Sequence, residues 1–285
     1  MSARTCPSGT PRSTSSRSCA ADALLGLEGL TPEVFALLLL AALAAGWVDA
    51  VVGGGGLIQL PALLLVPGIS PVQALATNKL AGFAGTTTSA VTYARRVRVD
   101  LRTAVPMALV AGLAAAGGAA LAHWVPAGAL RPVVLVALVV VAAWTLLRPP
   151  PAEAAALRFD GRRHTAAAAA LGGLVGLYDG ALGPGTGSFL VAGLVGLGYA
   201  FLPASAVAKV VNAATNLGAL AVFTLAGSVV WGLGLSMAAA NVLGGYLGAR
   251  TAVARGSGFV RVVFLVVVGA LVLRLGWQVL APLLG

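Results

Sequence analysis

Long apolar runs separated by short connections dominate the chain, and five of them, Val34 to Ala45, Ala104 to Ala122, Pro132 to Leu147, Thr165 to Leu177 and Phe259 to Leu273, hold at most one charged side chain each. Runs of this length and polarity belong in lipid. There every backbone group must be satisfied internally, which leaves helices or a closed barrel. Barrel strands alternate apolar and polar residues over about ten positions, and these runs do not alternate. The expected class is an all-α polytopic membrane protein. Composition agrees: 59% hydrophobic and 9% charged, against roughly 45–50% and about 25% in soluble domains.

The formal charge of +10 would point to nucleic acid in a soluble protein. Here most arginines sit in short connections between apolar runs, which makes them a topology signal, so no nucleic-acid partner is expected. Both cysteines, Cys6 and Cys19, lie in a Ser/Thr/Arg-rich tail without metal-ligand spacing. Neither a disulfide nor a metal is expected from them. The apolar run begins too late after this tail for an ordinary cleaved signal peptide. Residues 1–32 are read as a disordered tail, 33–147 as a first transmembrane repeat, 148–164 as a basic cytoplasmic linker and 165–285 as a second transmembrane repeat.

Ten apolar segments follow the tail, near 33–52, 54–67, 74–94, 103–122, 131–147, 165–182, 184–200, 204–226, 229–250 and 259–282. The second and seventh each start in a glycine cluster, so they are expected as half-helices or re-entrant loops. Sliding the chain by 130 residues aligns the two sets of five. Gly46, Asp49, Gly53, Gly55, Leu60, Ala62, Leu64, Gly68, Ala74, Ala76 and Lys79 meet identical residues at 176, 179, 183, 185, 190, 192, 194, 198, 204, 206 and 209. Apolar matches could come from composition alone. The charged ones could not, because Lys79 and Lys209 are the only lysines in the chain.

Arginines cluster at Arg95, Arg96, Arg98 and Arg102, again at Arg148, Arg158, Arg162 and Arg163, and again at Arg250, Arg255 and Arg261. Placing all three groups on the cytoplasmic side requires five crossings per half. The repeats are then inverted and the N-terminus lies outside, despite Arg4, Arg12 and Arg17.

Inverted repeats with glycine-broken segments at matching positions point to a secondary transporter whose site lies near the midplane. Broken helices expose backbone N–H groups and the positive end of the next helix dipole, both of which attract anions. The candidate anion-binding set is Gly53, Gly54, Gly55 and Gly56 at the first break, and Gly183, Gly185, Thr186, Gly187 and Ser188 at the second. Lys79 and Lys209 add positive charge, and Thr77, Asn78, Asn212, Thr215 and Asn216 add hydrogen bonds. Asp49 and Asp179 are the candidate proton carriers. Insertion scales charge roughly 2.5–3.5 kcal/mol for each such group, so pairing is expected. The bland reading of the same residues is two bracing ion pairs, Asp49 with Lys79 and Asp179 with Lys209, each within one half. Gly244, Gly245 and Gly248 are expected to serve close helix packing.

His123 and His164 are read as solvated residues of connections, Arg274 as a snorkelling side chain, and Tyr178 as a cavity residue beside Asp179. An anion channel could use the same lysines and dipoles. An intramembrane aspartyl protease would use a Tyr-Asp pair such as Tyr178 and Asp179, but the Gly-x-Gly-Asp element is missing and two lysines would have no role in proton sharing. No enzyme activity and no cofactor are expected.

The stretch GGGGLIQLPALLLVPGISPVQALATNKLAGFAGT at 53–86 resembles the first-half motif of the TauE/SafE family of sulfite exporter-like membrane proteins. DGALGPGTGSFL at 179–190, followed by AKVVNAATNLGAL from Ala208, resembles the second-half motif. The resemblance runs from about Gly46 to Leu280. It departs from the family at the tail, and at Ala181 and Leu182, where aromatic residues are common. It implies a multi-pass protein of the bacterial inner membrane that exports a small sulfur-containing oxyanion such as sulfite, a sulfonate or sulfoacetate by alternating access. The expected partners are that anion and the lipid bilayer, with homo-oligomers left open.

Overall fold

In the computed structural model of the protein, residues 31–122 and 157–284 are described. The expected segment 131–147, His123 and most of the linker lie outside them. All regular structure among the described residues is helical: α1 (Pro32–Val52), α2 (Gly56–Leu64), α3 (Pro71–Ala94), α4 (Leu101–Leu121), α5 (Gly161–Ala181), α6 (Thr186–Gly196), α7 (Phe201–Leu225) and α8 (Trp231–Leu284). By length and apolarity α1, α4 and α7 each suffice to cross a membrane. Their lipid-ready faces show in exposed leucines such as Leu37, Leu40, Leu109 and Leu113.

Local sequence sets the boundaries. Ser70 caps α3 in a reciprocal box with Gln73, Pro71 takes the first helical turn, and Asp100 caps α4 by accepting from the Arg102 N–H. The expected segments 54–67 and 184–200 shrink to α2 and α6. At 9 and 11 residues and 1.5 Å per residue, these reach about 14 and 17 Å, roughly half of a 30 Å hydrocarbon core. They are half-helices. The segments expected at 229–250 and 259–282 join as α8, interrupted at Gly256, where φ is +74°.

Helices pack through glycine. Gly172, Gly176 and Gly180 of α5 face Met107, Ala111 and Ala115 of α4, so closely that added Cβ atoms would fall 2.9, 2.3 and 1.9 Å from their backbone oxygens. Gly244 and Gly248 of α8 lie against Leu43 and Trp47 of α1 in the same manner, as expected for them. Both pairs run parallel, since residue numbers rise together along each contact. In contrast, α3 and α7 run antiparallel: Thr86 accepts from Asn216, and Tyr93, seven residues further along α3, lies beside Ser205, eleven residues earlier on α7.

Two apolar layers result. One gathers Leu38, Leu60, Leu63, Val66, Phe223 and Val229; the other gathers Val51, Tyr93, Met107, Tyr199, Phe201 and Phe264. Polar side chains of the broken helices, α3 and α7 lie between the layers. At the end of the second layer, Asp100 accepts from Tyr199 at 2.8 Å, and His164 lies 3.1 Å from the same hydroxyl. His164 is therefore not a solvated residue of a connection: it is buried in the first turn of α5. The same face holds the Arg158 backbone, bonded to Leu197, and Ser257, bonded to Leu202. The described basic clusters of the sequence thus come to one end of the molecule.

Candidate functional site

The two glycine breaks meet at the centre. Gly53 adopts φ +84° as the left-handed cap of α1, and Gly183 and Gly185 adopt +85° and +82° between α5 and α6, conformations that glycine takes without steric cost. Gly53 lies directly on Gly187: a Cβ on Gly53 would fall 2.2 Å from the Gly187 carbonyl carbon. The contact is fixed by hydrogen bonds from the Ser188 N–H to the Gly53 carbonyl at 3.2 Å and from the Ser188 hydroxyl to the Val52 carbonyl at 3.0 Å. Tyr178 donates to the Pro184 carbonyl at 2.6 Å and packs edge-on against Phe189. It braces the second break and does not line the cavity.

Both lysines are buried, and each pairs with the aspartate of the other half. Lys79 Nζ lies 2.7 Å from Asp179 Oδ1, and Lys209 Nζ lies 3.0 Å from Asp49 Oδ2. The pairing expected within each half is thus replaced by a crossed one. The reason lies in the fold: α3 and α7 are antiparallel neighbours at the centre, and the touching breaks carry each aspartate to the opposite lysine. Lys209 also donates to the Asp49 backbone carbonyl. Asp179 accepts from the Thr186 hydroxyl at 2.5 Å, while its Oδ2 has no hydrogen-bond partner among the described residues. Asp49 Oδ1 accepts from the Gly55 N–H at 3.4 Å. Three buried charges and the partly buried Asp49 are compensated in two pairs, which is the condition for keeping them in a low-dielectric interior.

A cavity of about 30 Å³ opens beside the first pair, with room for roughly two or three water molecules. Of the residues singled out in the sequence, Asp49, Gly53, Gly55, Gly56, Asn78, Lys79, Asp179, Gly183, Gly185, Thr186, Gly187, Asn212 and Asn216 line it. Lys209, Gly54, Ser188, Thr77 and Thr215 do not. The Thr77 hydroxyl instead accepts from the Val230 N–H, and Thr215 bonds back to the Asn212 carbonyl within α7. Sequence reasoning missed Ala45, Gln59, Gly82, Thr86 and Asn241, which complete the wall. Gln59 and Asn241 are single amides in apolar stretches. Their counterparts 130 residues away are Phe189 and Ala111, so a search for matched residues passes over them.

Paired helix breaks, compensated intramembrane charge and a small polar cavity enclosed by helices define a membrane transporter. The Sulfite exporter TauE/SafE family profile matches residues 38–275, and the chain belongs to that family. It is 38% identical over 258 residues to the "Probable membrane transporter protein ORF9" of Sinorhizobium sp, covering 87% of this chain and 95% of that one. It is 33% identical over 243 residues to the "Probable membrane transporter protein YfcA" of Escherichia coli (strain K12), covering 84% and 88%. A "Probable membrane transporter protein" of Haemophilus influenzae is 32% identical over 237 residues, covering 80% and 89%. No solved structure matches the chain.

Proposed function

We propose that the protein is a secondary exporter of a small sulfur-containing oxyanion, sulfite or a short sulfonate, in the bacterial inner membrane. The observation that carries this reading is the Lys79–Asp179 pair in the cavity wall, which joins one half of the chain to the other. An incoming oxyanion competes with Asp179 for Lys79, so loading the site weakens a contact that holds the halves together. That is differential binding between closed and open states, which a ligand-driven conformational change requires. Lys209 plays the supporting part, since it is tied to Asp49 by side chain and backbone and stands outside the wall. The cavity is about a tenth of the 300 Å³ at the low end of pockets for drug-sized ligands, which favours a substrate of a few heavy atoms.

The halves act as inverted repeats. Supporting this, helix starts recur at Gly56 and Thr186, at Pro71 and Phe201 and at Leu101 and Trp231, each 130 residues apart, and α3 and α7 are antiparallel. The end that gathers the described arginines faces the cytoplasm. A proton on Asp179 Oδ2, which has no partner among the described residues, keeps the site's charge constant when an anion takes over Lys79, so transport is proton-coupled. The test is a thermal-shift screen of purified protein against sulfite, sulfoacetate, taurine, thiosulfate and sulfate. Stabilisation by one or more sulfur oxyanions in the parent, absent in Lys79→Met, supports the site. An equal shift in Lys79→Met overturns it.

A further inference from the structure

Gln59 is 2% exposed and lies in the cavity wall near the start of α2. Its Oε1 accepts a hydrogen bond from Asn241 Nδ2 of α8, and its Nε2 has no partner among the described residues. A buried donor left without an acceptor forfeits its hydration with nothing in return, and native structures seldom retain one without a reason. The repeat-equivalent positions hold Phe189 and Ala111, so the amides belong to one half only.

The surroundings are shaped to seat them. A Cβ on Gly85 would stand 2.0 Å from Asn241 Oδ1, and one on Gly46 would stand 3.0 Å from the same atom. Both glycines thereby make room for the Asn241 amide, which in turn holds the Gln59 carbonyl. A bond between two primary amides uses one NH₂ group and one carbonyl; Asn241 donates and the Gln59 carbonyl accepts, so the Gln59 NH₂ is the group left over at the cavity wall.

We propose that Gln59 is a substrate-binding residue whose Nε2 donates to an oxygen of the transported oxyanion. Lys79 supplies charge; Gln59 supplies a neutral donor present in only one half. The otherwise paired site thus binds its anion in one orientation. The inference rests on the anion-transport reading and adds to it a residue that neither lysine, aspartate nor glycine break identifies.

Sulfite, thiosulfate and sulfoacetate binding to detergent-purified full-length protein tests the assignment, with the parent, Gln59→Met and Gln59→Glu compared across about pH 5 to 8. Gln59→Met is expected to weaken the best parental ligand about 10- to 100-fold, the loss of one hydrogen bond to a charged group. Gln59→Glu keeps the shape but offers a carboxylate, and is expected to bind more weakly still at the alkaline end. Relative to the parent at each pH, it should recover on acidification, since a neutral carboxylic acid again has an O–H to donate. A purely structural role would show no such recovery. Binding by either variant equal to the parent throughout overturns the assignment, and the Glu variant carries the test should the Met variant not fold. If the parent itself binds none of the three, the transport reading falls, a result distinct from equal binding by parent and variants.

Discussion

Replacing Lys79 by Met leaves Asp179 as a buried carboxylate held, among the described residues, by the Thr186 hydroxyl alone, with its second oxygen unpartnered there. Stranding one member of a buried pair costs about 3–5 kcal/mol, whereas replacing both members with neutral groups is often close to neutral. At roughly 2–4 °C per kcal/mol for chains of about this size, Lys79→Met and Asp179→Asn should each lower the thermal midpoint by about 6 to 20 °C. The double variant should recover most of that loss. The crossed geometry makes the cycle specific: Lys79 with Asp179, and Lys209 with Asp49, should couple by about 3 kcal/mol or more, at the upper end for residues in contact. Lys79 with Asp49 and Lys209 with Asp179 should couple less. The assay is thermal unfolding of the purified single and double variants in one detergent, at one scan rate because membrane-protein melting is seldom reversible. Additive losses for Lys79 with Asp179, or stronger coupling within halves than across them, would refute the crossed pairs.

Gly53→Ala places a Cβ 2.2 Å from backbone at a positive φ, so well-dispersed protein should be lost; Gly56→Ala meets nothing nearer than 3.6 Å and should fold normally while losing anion binding, both read by size-exclusion profile and thermal shift. In a Cys6→Ser, Cys19→Ser background, Arg98→Cys should react with a membrane-impermeant maleimide from the cytoplasmic side only and Ser228→Cys from outside only; labelling from the same side would refute inversion. Burial pushes the Asp100 carboxyl up, but hydrogen bonds from Thr103, Tyr199 and the backbone N–H of Arg102 and Thr103 outweigh it and hold the group below its ordinary value. Asp100 therefore contributes stability that is present above the ordinary carboxylate range and lost as pH falls through the lowered value, and Asp100→Asn should flatten the acid limb of the thermal stability profile below about pH 4.

The class of fold was legible because lipid imposes it: apolar runs without alternation admit only helices. The two breaks were legible because consecutive glycines in an apolar run are poor helix. Their shortening to half-helices at Gly56–Leu64 and Thr186–Gly196 was open in the sequence, since an apolar segment carries no mark of where it turns back. The lysines and aspartates stood out as charge in apolar surroundings. Their crossed partnership did not, because it depends on α3 and α7 lying antiparallel at the centre, a tertiary fact. His164 shows the same limit. Flanked by Arg163 and Thr165, it reads as polar and exposed, yet Tyr199, itself bonded to Asp100, comes from a distant part of the chain to pack on it in a buried position. Gln59 and Asn241 were hidden for the opposite reason: the repeat that exposes Lys79 and Lys209 has no counterpart for them.

Transport itself is most directly measured by exchange of radiolabelled sulfite and sulfoacetate across proteoliposomes, with an imposed pH gradient at clamped membrane potential. The account predicts saturable, gradient-driven flux of at least one of these anions in the parent, no flux in Lys79→Met, and flux in Asp179→Asn that no longer responds to the gradient. Flux by Lys79→Met equal to the parent, or no flux of either anion by the parent, would contradict it.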